Sequence, residues 1–79
     1  MEITTAEQLG ATVRGRRRQL KVTQKDLAMT SGTGLRFVVD LERGKPTCQI
    51  GKILQVLQAL GLVVETRALG GVETGGGQP

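Results

Sequence analysis

Nine of the eleven basic residues, Arg14, Arg16, Arg17, Arg18, Lys21, Lys25, Arg36, Arg43 and Lys45, fall between positions 14 and 45, where only Asp26, Asp40 and Glu42 oppose them. That segment carries a formal +6, more than the +4 of the whole 79-residue chain. Guanidinium and ammonium groups gathered this densely form charge-assisted hydrogen bonds to phosphate oxygens. A basic segment in a chain of pI near 10.0 is the electrostatic footprint of a polyanion binder, with a merely solvated basic face as the alternative.

Other chemistries are poorly served. The chain has no His and one Cys, Cys48. A Ser–His–Asp or Cys–His arrangement needs an imidazole, and a structural zinc needs about four Cys or His ligands. The carboxylates Glu2, Glu7, Asp26, Asp40, Glu42, Glu65 and Glu73 could work as an acid/base pair only inside a desolvated cleft, which so short a chain hardly builds. We therefore expect no enzyme, no cofactor and no metal site.

Leu, Ile, Val and Phe make up 22 of the 79 residues, enough for one small folded domain. A core of that size is thin, and a single Cys cannot form an intrachain disulfide, so oligomerisation is the expected source of further burial. The lone Cys suits a reducing compartment. No apolar run approaches the roughly 18 residues that span a bilayer. We expect a cytoplasmic protein without signal peptide or membrane segment.

The elements that must position the basic groups are helices. Thr5 to Gln8 has capping-box form, so a first helix is expected from Ala6 to Leu20, with Leu9, Val13 and Leu20 on its apolar stripe and Arg17 in phase with them. Thr23 caps a short second helix from Gln24 to about Thr30, and Gly32 stops it. Thr33 can cap a third helix from Gly34 to Arg43, whose shared face holds Leu35, Val38, Leu41 and Glu42, with Gly44 and Pro46 after it. Thr47 would cap a fourth helix from Cys48 to Leu60. There Ile50, Ile53, Leu54, Leu57 and Leu60 form a stripe widened by Val56. Leu62-Val63-Val64-Glu65-Thr66-Arg67 is β-branched and short, which reads as a strand whose simplest partner is the same strand of a second copy. The glycines split between punctuation inside the fold, at Gly10, Gly15, Gly32, Gly34, Gly44, Gly51 and Gly61, and a flexible tail. The expected organisation is an arm at 1–5, a helical domain at 6–61, a dimerisation strand at 62–69 and a Gly-rich tail at 70–79.

Two helices joined by a short turn containing Gly, here Gln24 to Arg43 with Ala28 small at the crossing, form a helix-turn-helix unit whose second helix enters the major groove. The sequence resembles the Cro/repressor-like (Xre) regulators in Thr23-Gln24-Lys25-Asp26-Leu27-Ala28, Gly32 and Asp40-Leu41-Glu42-Arg43-Gly44-Lys45-Pro46. With Lys52-Ile53-Leu54-Gln55-Val56-Leu57-Gln58-Ala59-Leu60-Gly61 and a strand beyond, it looks most like the HipB-type antitoxin branch. Ser31 and Thr33 depart from the family pattern, which is apolar there. The resemblance implies a mainly all-α domain of four to five helices whose C-terminal strand pairs across a homodimer. It further implies double-stranded operator DNA as ligand and a HipA-like kinase toxin as partner. A stand-alone repressor, or an interaction module that does not use DNA, are the rival readings.

Within that frame Gly34, Leu35, Arg36 and Asp40 are the candidates for base contact. Arg36 can present two parallel donors to guanine O6 and N7, or instead clamp a phosphate or pair with Asp40. Leu35 either touches a thymine methyl or packs in the core; Asp40 orients Arg36 or accepts from cytosine. Thr23, Gln24, Lys25, Thr33, Arg43 and Lys45 are the candidates for the DNA backbone, Gln24 by resemblance. Arg17 and Glu42 are both aimed inward, and the family pattern pairs them as a partly buried salt bridge. Arg14, Arg16 and Arg18 are then free for DNA or solvent. Val56, Leu60, Leu62, Val63, Val64, Glu65, Thr66 and Arg67 are expected at the dimer interface.

Overall fold

The computed structural model describes residues 2–46 and 49–68. Among the described residues four helices follow in order, α1 (Ala6–Gln19), α2 (Gln24–Ser31), α3 (Leu35–Glu42) and α4 (Ile50–Ala59). Local chemistry sets their starts. The Gln8 amide donates to Thr5 Oγ1 at 3.0 Å while Gln8 Oε1 accepts from the Thr4 amide at 2.6 Å, one residue earlier than a reciprocal capping box would have it. The Asp26 amide donates to Thr23 Oγ1 at 3.0 Å and opens α2. Thr47 and Cys48, the expected start of the fourth helix, lie outside the described residues; α4 begins at Ile50 after Gln49, without a side-chain cap bond.

All four helices end by one device. An amide returns to the carbonyl five residues back, Val22 to Arg17 at 3.2 Å, Thr33 to Ala28 at 3.2 Å, Lys45 to Asp40 at 3.1 Å and Leu62 to Leu57 at 2.8 Å. The preceding residue is left-handed each time: Lys21 at φ 58°, then Gly32, Gly44 and Gly61. Gly32, at φ 72°, swings the chain from α2 into α3. The left-handed turn at Lys21 also explains why Leu20, expected on the buried stripe of α1, is 42% exposed: it lies past the last helical turn.

α3 packs on α1 and α2, and α4 packs on α2. The core joins Val13 of α1, Leu27 and Ala28 of α2, Val38 and Leu41 of α3, and Ile53, Val56, Leu57 and Leu60 in and just after α4. Full burial of side chains this size is worth about 1.5–3 kcal/mol each relative to exposure. The stripe of α4 is rotated from the expected one. Val56 is fully enclosed, whereas Ile50 and Leu54 are 64% and 46% exposed.

Gly10 is not a helix stop, and neither are Gly15 or Gly51, since all three lie inside helices. Gly10 shares a face with Val13 and Arg17, and there α1 meets α3 backbone to backbone. A Cβ at Gly10 would overlap the Leu41 carbonyl oxygen and come 2.9 Å from that of Glu42.

Ser31 and Thr33 are accommodated by each other. Their hydroxyls are hydrogen-bonded at 2.8 Å, and Ser31 Oγ also reaches the Ala28 carbonyl at 3.4 Å. Thr33 is buried and does not cap α3, which starts after Gly34 with no side-chain cap. Among the described residues there is no strand: residues 62–68 run without helix or ladder, because a single strand has nothing to pair with inside its own chain. Leu69 and the Gly-rich tail at 70–79 lie outside the described residues. No helix of the described residues is long and apolar enough to cross a membrane.

Candidate nucleic-acid interface

The site is built on a buried ion pair. Arg17 Nε donates to Glu42 Oε2 at 2.6 Å and Nη2 donates to Oε1 at 3.0 Å, a fork-on-fork geometry. Only 11% of the Arg17 side chain and 3% of the Glu42 side chain are exposed. The bond to Glu42 holds the Arg17 guanidinium above its ordinary range, against the lowering effect of burial. Arg17 Nη1 also donates to the Val22 carbonyl at 2.8 Å, and Gln24 Nε2 donates to Glu42 Oε1 at 3.1 Å. The Arg17–Glu42 pair thereby ties together α1, the α1–α2 turn, the first residue of α2 and the end of α3.

That network holds α3 with one face outward. Arg36 projects from its first turn with 83% of its side chain exposed, and its Nε lies 3.4 Å from Asp40 Oδ2, one turn on. Lys45 Nζ lies 3.6 Å from the same oxygen. Asp40 therefore sits between two cations and braces both, while the Arg36 side chain stays largely exposed. Such exposed pairs contribute about 0–1 kcal/mol each, so their effect is orientation rather than stability. Leu35 beside them is 47% exposed and outside the core. Gly34 has φ 92°, and a Cβ there would meet no protein atom, so only backbone lies between this turn and an approaching ligand.

The groups expected on the phosphates are distributed unevenly. Lys25, Arg43 and Lys45 are exposed. Thr23 uses its hydroxyl to cap α2. Gln24 is half-buried with its amide nitrogen on Glu42. Thr33 does not present its hydroxyl to solvent, since Ser31 engages it. Arg16 is not free: its Nε donates to the Leu60 carbonyl at 3.0 Å and its Nη1 to Gln19 Oε1 at 3.2 Å, a cation at the C-terminal end of α4. The arginine string at 16–18 hides these different destinations, because only the tertiary fold brings Leu60 to α1.

The expected interface residues also separate. Val56 and Leu60 are 0% and 2% exposed inside their own protomer, so their side chains are not available to a partner, whereas Ile50 and Leu54 of the same stripe remain exposed. Leu62 is half-buried against the core. Val63 and Val64 are 80% and 58% exposed, and Glu65, Thr66 and Arg67 are exposed too. Arg67 Nη2 pairs with Glu2 Oε2 at 2.8 Å, linking the end of the described chain to the N-terminal arm. Among the described residues no three metal-ligating side chains converge.

No protein-family profile matches the chain. It is 53% identical over 68 residues to the "Uncharacterized HTH-type transcriptional regulator y4mF" of Sinorhizobium fredii (strain NBRC 101917 / NGR234), covering 86% of this chain and 90% of that one. Among solved structures, the clp gene regulator ClgR from C. glutamicum is 33% identical with a TM-score of 0.69, the match covering 81% of this chain and 82% of that one. A structure titled "MDT Protein" shares the fold at a TM-score of 0.78 and 22% identity, over 86% of this chain and 96% of that one. Helices, turn and ion-pair network thus occur in a chain that matches the regulator from S. fredii over nearly its whole length. The chain belongs to the HTH-type transcriptional regulators.

Proposed function

We propose that the protein is a sequence-specific repressor that binds double-stranded operator DNA as a homodimer, with α3 in the major groove. The observation that carries this reading is the outward face of α3: Arg36 is exposed and braced by Asp40 beside Lys45, on a helix anchored from behind by Glu42. Gly34, Leu35, Arg36 and Asp40 face the bases. Thr23, Gln24, Lys25, Arg43 and Lys45 take the phosphates, which fix register without specifying sequence. A two-fold dimer requires half-sites about one helical turn, roughly 34 Å, apart. Apolar side chains left exposed on α4 and after it, Ile50, Leu54, Val63 and Val64, support a second copy as their cover, with residues 62–67 pairing strand to strand.

The narrower role is that of a HipB-type antitoxin, which represses its own operon and holds a HipA-like kinase toxin inactive. It is supported by the helix-turn-helix and Lys52–Gly61 motifs. Gel shift with a duplex from the chain's own promoter, and co-purification from cells carrying the neighbouring genes, test the two levels separately. Retarded DNA with a co-purifying kinase-like protein supports both. Retarded DNA alone leaves a stand-alone repressor, and failure to bind DNA at low salt refutes the reading.

A further inference from the structure

Beside the outward face of α3 runs an open cleft walled by Arg14 and Arg18 of α1 and by Arg43 at the end of α3, with Gln24, Val39 and the Arg17–Glu42 pair at its floor. We infer that this cleft is a second phosphate-binding surface, in which Arg14 and Arg18 hold the phosphodiester strand bordering the groove that α3 enters. The inference rests on the DNA-binding reading above and adds α1 to the contact surface.

Three observations carry it. Arg14 and Arg18 stand one helical turn apart, an arrangement of like charges that disfavours an isolated helix. Among the described residues neither they nor Arg43 have an ion-pair partner. Glu42 at the floor has both oxygens occupied by Arg17 and Gln24, and Glu7 shares the adjoining cleft with Arg14, Arg18 and Arg43 without forming an ion pair with any of them. Positive charge therefore outweighs negative there, three arginines without ion-pair partners against the single carboxylate of Glu7.

Register is the second observation. Arg36, Val39 and Arg43 follow at i, i+3 and i+7, so the face of α3 that presents Arg36 continues directly into the cleft. The third is chemistry: the cations that line the cleft are all arginines, whose planar forks match phosphate oxygens two at a time. An acidic protein segment has similar oxygens, but continuity with α3 favours the nucleic-acid strand.

The test is the salt dependence of binding by the full chain to a duplex of about 30 base pairs of arbitrary sequence, from about 0.05 to 0.2 M salt. In Arg14→Gln/Arg18→Gln the slope of log K against log salt becomes shallower by about two units. Arg14→Lys/Arg18→Lys, which keeps the charge, retains the wild-type slope. The melting temperature does not fall below that of wild type, because neither side chain has an ion-pair partner to lose and the Gln variant relieves their mutual repulsion. Superimposable wild-type and Gln-variant slopes overturn the inference alone. A wild-type chain that binds no duplex at low salt overturns the DNA reading and this inference together. Unchanged slopes with lost binding of a poly-glutamate peptide assign the cleft to an acidic protein and overturn it too.

Discussion

Arg17 and Glu42, 25 positions apart in sequence, meet through two parallel hydrogen bonds of 2.6 and 3.0 Å across the α1–α3 contact, where water reaches 11% of one side chain and 3% of the other. Removing one partner leaves the other charged in a place it cannot be solvated. Glu42→Ala is therefore expected to destabilise the fold by about 3–5 kcal/mol, and Arg17→Met/Glu42→Leu by far less. Urea unfolding of the two variants measures this. A single variant as stable as wild type would show that the pair carries no structural weight.

Gly10→Ala sets a gain against a loss. Alanine favours the helix by about 1 kcal/mol over glycine. Its methyl would, however, overlap the Leu41 carbonyl oxygen, a backbone atom that cannot turn aside. Overpacking of this kind costs about 1–3 kcal/mol, so α1 is pushed from α3 and the Arg17–Glu42 bonds lengthen. Thermal melting should show a lower midpoint, and Gly15→Ala, with open space before it, should not lower it. Equal midpoints would contradict so close a crossing.

Lys21→Gly is expected to stabilise. Lys21 holds φ 58° at the end of α1, a conformation that glycine fills at the other three helix ends. Side chains disfavour it by about 1–2 kcal/mol, part of which returns as the greater unfolded-state freedom of glycine. A net gain of about 0.5–1 kcal/mol corresponds to a rise of several degrees in melting temperature for a domain this small. A fall would mean that the Lys21 side chain holds something in place.

Much of this was legible in the sequence, for identifiable reasons. Helix starts follow from Thr5 and Thr23, whose hydroxyls act within three residues, and the stops at Gly32, Gly44 and Gly61 follow from one backbone angle. Local signals of that range survive folding unchanged. The inward aim of Arg17 was readable because it keeps step with Val13. What sequence could not show depends on which elements meet. Gly10 looks like any helix-weakening glycine until α3 is laid on it. Arg16 becomes a partner of the Leu60 carbonyl only once α4 is in place. The rotation of α4 that buries Val56 and bares Leu54 is set by α2, against which it packs, and periodicity alone describes both positions as apolar. Thr33 shows the same limit, since its hydroxyl is used by Ser31 only because the turn brings the two together.

In the proposed complex α3 reads bases through Arg36. The most direct measurement compares affinity for a duplex from the chain's own promoter with affinity for a scrambled duplex, at one fixed salt concentration, in wild type and Arg36→Ala. Wild type should prefer its promoter by about 1,000-fold or more. Loss of two donors to guanine should cost about 1–3 kcal/mol of that preference, roughly a 5- to 150-fold drop. Binding to the scrambled duplex should change little in Arg36→Ala. A promoter preference that survives the substitution intact would contradict the account.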